Sequence, residues 1–201
     1  MKRIFMPGKD RFRCAMASMG GVGSTALARH IGSISDKTDR EHAYSPAVYD
    51  GYSGLRLGYM FGNPYNSVLS IFRRRYQQMH VVAMHAHSRT SPVSLRNMSL
   101  EEYLEREVDE FFIERQLDNW MGNVNPRHPT ILIRYELLGD HIDTVLDFFA
   151  CRKAFVVTPR SSSWIEQPEH IRKGLEKIYG RVNEKIEASP AVRIMMPRAG
   201  G

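Results

Sequence analysis

The sequence predicts a three-layer α/β fold in which a short parallel sheet is flanked by helices. Three segments support this prediction, because each reads as a short apolar strand that leads through a turn into a helix. They cover residues 11–29, 55–72 and 130–150. Strands that alternate with helices are typical of parallel sheets, and such sheets bind ligands at the carboxyl ends of their strands.

Composition limits the class of protein. The chain has 201 residues, enough for one domain with a full core, and 42% of them are hydrophobic. The 28 Lys and Arg residues against 22 Asp and Glu give a net charge of +6, which favours acidic ligands. Because the basic residues are scattered, we expect no nucleic-acid partner. No segment has the length of a membrane span or the character of a secretory signal, so we expect a cytoplasmic protein without a membrane partner.

The first segment combines a strand, a glycine turn and a helix. Gly20, Gly21 and Gly23 permit backbone conformations that turn amide N–H groups toward one point. We expect Ser24 and Thr25 to cap the helix that follows, whose positive dipole end faces the same point. The corner therefore suits a phosphate or a sulfate.

This corner departs from the two best-known phosphate-binding loops. A Walker A loop requires a lysine, but anchoring that motif on Gly23 puts Ser24 at the lysine position. The dinucleotide fingerprint G-x-G-x-x-G is incomplete, because Ala26 stands where its third glycine belongs. A glycine turn that binds no ligand is the remaining alternative.

The second segment contains a strand over residues 55–61, and Asn63-Pro64 then starts a helix. On that helix Ser70 lies one turn before Arg73 and Arg74, so a hydroxyl and guanidinium groups share a face. This arrangement predicts a phosphate clamp, and a solvated basic helix face is the alternative reading.

Residues 32–54 are polar and predict a surface loop between the first helix and the second strand. His42 with Asp39 or Glu41 has the composition of a general base and the group that orients it. An exposed histidine without a function is the alternative.

Residues 77–97 show no usable period and predict an irregular connection, with a loop on the substrate side as the functional alternative. The spacing of His80, His85 and His87 fits no metal site, and the two cysteines form no CxxC pair. We therefore expect no bound metal and expect Cys14 and Cys151 to act as small buried hydrophobic residues.

The later elements follow from capping signals and apolar periodicity. Ser99-Leu-Glu-Glu has capping-box spacing and opens one predicted helix with an apolar face that extends to Leu117. The remaining predictions are a strand at 130–134, a helix at 138–150, a strand or loop at 154–158, a helix at 169–188 and a loose tail beyond Pro190.

Three motifs, in this order, resemble the sulfotransferases that use 3′-phosphoadenosine 5′-phosphosulfate. They are GVGSTAL after a strand, YMFGNPYNSVLSIFRR, and ILIRYELL followed by TVLDFF. The resemblance implies a P-loop-type fold whose first motif binds the 5′-phosphosulfate and whose second motif binds the 3′-phosphate. The third motif is a strand-to-helix turn, in which Glu136 would brace the backbone and Tyr135 is a weak ligand candidate.

The resemblance also implies which residues bind the donor. The 5′-phosphosulfate group would lie on Gly20, Gly21, Val22, Gly23, Ser24, Thr25 and Ala26. The 3′-phosphate would lie on Ser70 with Arg73 or Arg74, and a late loop would contribute Arg160 and Ser161. Two positions depart from the family pattern, since Gly21 and Gly62 stand where basic residues are usual.

His42 is the first candidate for the catalytic base that the resemblance implies, because it lies twenty residues before Gly62 and shortly before a proline. Glu41, Asp39 and Asp50 are the alternatives, since other branches of the family use a carboxylate.

These observations predict a sulfotransferase that moves a sulfuryl group to a hydroxyl or amine acceptor, either a small molecule or a glycan. Its product from the donor would be adenosine 3′,5′-bisphosphate, and no metal would be required. A catalytically degenerate nucleotide-binding protein is the first alternative. A P-loop nucleotide kinase is the second, although it would need a lysine that the loop lacks.

Overall fold

The computed structural model describes residues 13–35, 39–123, 126–158 and 164–197. Two predicted site residues, Arg160 and Ser161, lie outside this part of the chain, and so does the side chain of Asp39.

The described residues form an α/β fold around a mostly parallel four-stranded sheet. The strands are β1 (Arg13–Ser18), β2 (Leu55–Phe61), β3 (Thr130–Arg134) and β4 (Val192–Met195), and they lie side by side in that order. β1, β2 and β3 are parallel, whereas β4 runs antiparallel to β3. The tail predicted to be loose beyond Pro190 thus contains the strand that completes this sheet.

Seven α-helices occur in the described residues. They are α1 (Ser24–His30), α2 (Pro64–Arg73), α3 (Gln77–Ser88), α4 (Leu100–Glu105), α5 (Ile113–Met121), α6 (Ile142–Phe148) and α7 (Glu169–Glu187). Short 3₁₀ turns lie at Asp39–His42, Pro46–Tyr49, Tyr135–Leu137, Gly139–His141 and Trp164–Glu166. None of the described helices has the length and apolar character needed to cross a membrane.

The core lies around the first two strands. Residues 14–18 of β1 are all buried, and β2 is buried except for partial exposure at Arg56. Both faces of these strands are therefore covered, as expected for parallel strands between helices. Trp120 of α5 stacks on Tyr59 of β2 with ring centroids 4.9 Å apart. Burial raises the pKa of the Cys14 thiol to about 11, which agrees with its predicted role as a core hydrophobic residue.

The prediction of an irregular connection at 77–97 is wrong, because α3 occupies the first half of it. The buried positions of α3 are Gln77, His80, Val81, Met84 and His85. They have the i, i+3, i+4, i+7, i+8 spacing of a helix face, but three of the five are polar. A search for apolar periodicity therefore does not detect this helix.

The single helix predicted from Ser99 to Leu117 is also wrong. The capping box at Ser99 and Glu102 is confirmed, but α4 ends at Glu105 and α5 begins at Ile113. The backbone between them takes left-handed conformations at Glu107 (φ 57°) and Phe112 (φ 53°).

Two shorter segments differ from the predictions as well. Ser33 and Ser35, predicted in a surface loop, are buried, and both hydroxyls contact the backbone of Met16 in β1. The predicted helix at 138–150 is helical in α6 only over Ile142–Phe148, after two 3₁₀ turns. Residues 154–158 form a loop, which is the second of the two structures predicted for them.

Candidate functional site

The glycine turn, residues 20–23, lies directly after the carboxyl end of β1. Gly20, Gly21 and Gly23 all have positive φ, at 84°, 70° and 77°. Within the described part of the chain, the amide N–H groups of Val22, Gly23 and Ser24 donate to no protein acceptor. Unpaired amides after left-handed glycines are the groups that anion-binding turns present to a ligand.

The turn is packed against two helices. A Cβ atom on Gly21 would lie 2.7 Å from the Cα of Ser67 in α2, and one on Gly20 would lie 2.7 Å from the His80 ring in α3. Glycine is therefore required here for close approach as well as for conformation. The basic side chain that sulfotransferases usually have at the position of Gly21 does not fit this backbone.

Neither Ser24 nor Thr25 caps α1, contrary to the prediction. The N-cap residue is Gly23, without a side-chain hydrogen bond. The Ser24 hydroxyl instead donates to the hydroxyl of Ser18 at 2.8 Å, and the Thr25 hydroxyl donates to Glu41 at 2.8 Å. Both side chains connect the turn to its neighbours, so only the backbone amides at these positions are open to a ligand.

His42 lies beside the end of β1. Its Nδ1 is 3.2 Å from the carbonyl oxygen of Ser18 and 3.4 Å from the Ser18 hydroxyl. Because a carbonyl oxygen only accepts, this contact assigns the ring proton to Nδ1. The other nitrogen, Nε2, then carries the lone pair that a general base needs.

The position of His42 is maintained by Gln116 of α5. The Gln116 side-chain amide nitrogen lies within 3.2 Å of the carbonyl oxygens of Ser18, His42 and Ala43. The indole N–H of Trp120 also donates to the Ala43 carbonyl at 2.9 Å. These contacts attach the 3₁₀ turn of His42 to the carboxyl end of β1.

Several groups act on the pKa of His42. Burial lowers this pKa most, while the hydrogen bond to the Ser18 backbone and the Glu41 carboxylate raise it, and the Arg74 guanidinium lowers it. The net shift is downward, so the ring is neutral at pH 7. The charge effect of Arg74 also places that side chain on the same side of the molecule as His42.

Ser70 of α2 and Arg74, which directly follows the helix, form a pair. The guanidinium of Arg74 donates to the Ser70 hydroxyl from Nη2 at 2.6 Å and from Nε at 3.2 Å. Within the described residues, no hydrogen bond joins Arg73 to Ser70. Of the two arginines proposed from the sequence, Arg74 is therefore the one that the structure brings to Ser70.

Gly62 follows β2, at the position where the resemblance described above would place an arginine. A Cβ atom there would lie 2.7 Å from Glu136 Oε1, and the same carboxylate oxygen accepts from the Asn63 backbone N–H at 2.6 Å. Glu136 thus braces the turn between β2 and α2, whereas the prediction had it brace its own strand-to-helix turn after β3. The Glu136 carboxylate therefore occupies the space that a side chain at position 62 would need.

The start of α2 contacts a late segment of the chain. Asn63 caps the helix by accepting from the Asn66 N–H, and Asn66 accepts in turn from the backbone N–H of Trp164 at 3.0 Å. The Trp164 ring lies 4.5 Å from the ring of Tyr65. The residues directly before Trp164, including Arg160 and Ser161, are outside the described part.

A separate cavity of about 430 Å³ lies near the starts of β2 and β3, and we call it the amino-edge cavity. Its lining includes Asp50, Asp118, Arg127 and His128. Asp50, a predicted alternative base, therefore lies at the opposite edge of the sheet from the glycine turn. Glu41 remains the carboxylate near His42.

His80 is the residue that sequence reasoning missed. It is only 5% exposed, its ring lies against Gly20, and its centroid is 4.9 Å from that of His42. The helical spacing of the buried positions of α3 is the signal that places it inside. Among the described residues, no group of three or more His, Cys, Asp or Glu side chains could hold a metal ion.

Compared with protein-family models, with curated proteins and with solved structures, the chain has no match. Its function must therefore be inferred from the residues and their geometry.

Proposed function

We propose that this chain is a sulfotransferase that uses 3′-phosphoadenosine 5′-phosphosulfate and acts on a hydroxyl or amine of a small molecule or glycan. One observation carries the proposal, namely the contact between Gly21 and the backbone of Ser67. Ser67 lies one helical turn before Ser70, so the unpaired amides of the glycine turn adjoin the pair of Ser70 and Arg74. Two anion-binding elements side by side suit a ligand with two phosphate-type groups.

The residues present fit the donor in most respects. The N–H groups of Val22, Gly23 and Ser24 would hold its 5′-phosphosulfate, and Arg74 with Ser70 would hold its 3′-phosphate. The donor would supply the sulfuryl group. Amide donors aimed at the oxygens where negative charge develops stabilise a transition state, and removing one such donor typically costs about 10²–10³ in rate.

His42 is the proposed general base. Its Nε2 would take the proton of the acceptor hydroxyl or amine, while the Nδ1–H stays on the Ser18 carbonyl. The lowered pKa keeps this nitrogen unprotonated at neutral pH.

Two features favour the alternative of a nucleotide-binding protein without turnover. Gly21 and Gly62 supply no cation, and the carboxylate of Glu41 accepts from Thr25 beside the glycine turn while that of Glu136 lies against Gly62. A carboxylate beside a bound anion weakens its binding. The nucleotide kinase reading has less support, because no lysine lies in the glycine turn.

Calorimetric titration separates these readings. We expect adenosine 3′,5′-bisphosphate to bind more tightly than ATP with magnesium, and we expect transfer of ³⁵S from the labelled donor to a panel of phenols, amines and sugars. Binding of the bisphosphate without transfer to any acceptor would support the protein without turnover. Preference for ATP with magnesium would contradict the sulfotransferase assignment.

A further inference from the structure

His42 and His80, which we call the histidine pair, lie in contact beneath the glycine turn. Their ring centroids are 4.9 Å apart with an edge-on arrangement, and the His80 ring also packs edge-on against Phe111 at 5.4 Å. A Cβ atom on Gly20 would be 2.7 Å from Cε1, 3.2 Å from Nδ1 and 3.6 Å from Nε2 of His80. The edge of His80 that carries both nitrogens therefore faces the turn.

One nitrogen of the pair is buried without a partner. Nε2 of His80 is shielded from solvent and makes no hydrogen bond within the described residues. A buried polar atom in this state destabilises the fold, because it has lost its hydrogen bonds to water without gaining a protein partner. An aromatic side chain of similar size would fill the space beside Phe111 without this cost, so simple core packing does not account for a histidine here.

Burial keeps both rings neutral in the free protein. It lowers the pKa of each histidine most, and charge on His42 lowers the pKa of His80 further. Directly after α2, Arg74 opposes protonation of His42, while Glu41 in the same 3₁₀ turn as His42 favours it. The segment before α5 presents the uncharged ring of Phe111 to His80.

A doubly charged oxyanion bound at the glycine turn would instead favour the protonated form of a nearby histidine. Negative charge close to an imidazole favours its protonated form and offsets the burial that opposes it. A proton added to the pair would in turn attract the anion, because binding and protonation are linked equilibria.

We propose that His80 belongs to the anion site, and that the His80 ring takes up one proton from solvent, while His42 stays neutral, when a tetrahedral dianion such as sulfate or a phosphate group binds at the glycine turn. This inference rests on the proposed function only in placing an oxyanion at residues 20–26. It adds a positioning residue, His80, and makes dianion affinity dependent on pH.

The test uses inorganic sulfate, which stays doubly charged between about pH 5.5 and pH 8, whereas a phosphate group itself titrates there. Sulfate affinity is measured by calorimetry and by competition with adenosine 3′,5′-bisphosphate. We expect the affinity to rise at least about tenfold as the pH falls across this range, the limit for one linked proton being about tenfold per pH unit. Titrations in buffers of different ionisation enthalpy should show uptake of close to one proton.

His80→Gln should flatten the pH dependence to less than about twofold and reduce the proton uptake. His87→Gln is the matched control, since His87 lies on the same helix, is partly exposed and bonds the Ala83 carbonyl. It should leave both measurements unchanged. If His80→Gln does not fold, the proton uptake of the unaltered protein remains a direct test.

Affinity that does not depend on pH, or the absence of proton uptake, would overturn the inference. If the bisphosphate binds near pH 8 and sulfate does not compete with it at any pH, the inference is also wrong while the proposed function stands. If neither ligand binds, the proposed function fails with it.

Discussion

The amino and carboxyl edges of the sheet differ in two respects. One has a cavity, and the other has polar groups that lack a hydrogen-bond partner. The amino-edge cavity has a volume of about 430 Å³ and is open enough for Asp50 and Arg127 to be largely exposed to water. Among the described residues, the carboxyl edge instead has amides without a protein acceptor at Val22 and Gly23 and the unpartnered Nε2 of His80.

The proposed function therefore depends on polar groups without partners and not on cavity volume. Polar groups in open solvent have water as a partner and need no ligand, whereas buried groups without partners carry an energetic cost. A ligand that supplies the missing partners recovers that cost. The carboxyl edge is also where open α/β sheets bind their ligands.

The largest effect is expected for Gly21→Ala. Its φ of 70° is strained for alanine, and the new Cβ would meet the Ser67 backbone at 2.7 Å. Gly54→Ala is the control, since Gly54 has a φ of 63° but open space around it. We expect Gly54→Ala to cost about 1–2 kcal/mol of unfolding free energy and Gly21→Ala about 1–3 kcal/mol more. Urea unfolding measures both values.

Gly21→Ala should also abolish binding of adenosine 3′,5′-bisphosphate, because α2 must move away from the turn. Equal costs for the two variants, with binding preserved in both, would show that the close contact between turn and helix does not matter.

His42→Gln replaces the proposed base and should lower turnover by a factor of about 10²–10⁴, with little change in bisphosphate affinity near pH 8. Asp50→Asn at the amino-edge cavity is the control and should leave turnover within about twofold. The reverse outcome, with Asp50 essential and His42 dispensable, would move the chemistry to the other edge of the sheet.

The pH profile provides a second check on His42. A base acts only when neutral, and burial lowers the pKa of this ring below the usual 6.5. Activity expressed as kcat/KM, which reports the free protein, should therefore hold from neutral pH down and fall only below pH 6.5. An acid limb centred above pH 7 would contradict this assignment.

The smallest effect is expected for replacement of an arginine, and the two arginines compared lie at opposite edges of the sheet. Arg74→Ala removes two charge-assisted hydrogen bonds to Ser70 and should weaken bisphosphate binding by about 10- to 100-fold. Arg127→Ala, at the amino-edge cavity, should change the affinity by less than about twofold. A larger loss in Arg127→Ala would favour the cavity as the nucleotide site.

The sequence predicts the three parallel strands and the glycine turn well, because their signals are local. The bounds of β2 and β3 agree with the prediction, as does the start of α2 at Asn63-Pro64. Buried apolar runs and turn residues determine these elements without help from distant parts of the chain.

The predictions that were wrong concern elements that depend on tertiary contacts. Helix α3 buries Gln77 and two histidines where a sequence pattern expects apolar residues, and β4 has only Met195 buried and depends on pairing with β3. The break before α5 is stabilised by Asp109, which accepts from the Glu114 N–H. Tertiary context overrides local propensity in each case.

Dependence on tertiary contacts also explains why only some of the predictions for the site residues agree with the structure. A motif can place His42 and Ser70 near a phosphate, but it cannot show that Ser24 bonds Ser18 or that Glu136 occupies the space beside Gly62. His80 was missed because its contact with Gly20 joins residues sixty positions apart.

Titration of ¹⁵N-labelled protein with adenosine 3′,5′-bisphosphate, followed by amide chemical shifts, tests the central claim most directly. The claim predicts the largest changes at the amides of residues 20–26 and around Ser70 and Arg74, with little change at Asp50, Asp118 and Asn119. Shifts concentrated at the amino-edge cavity, or no saturable shifts at all, would contradict it.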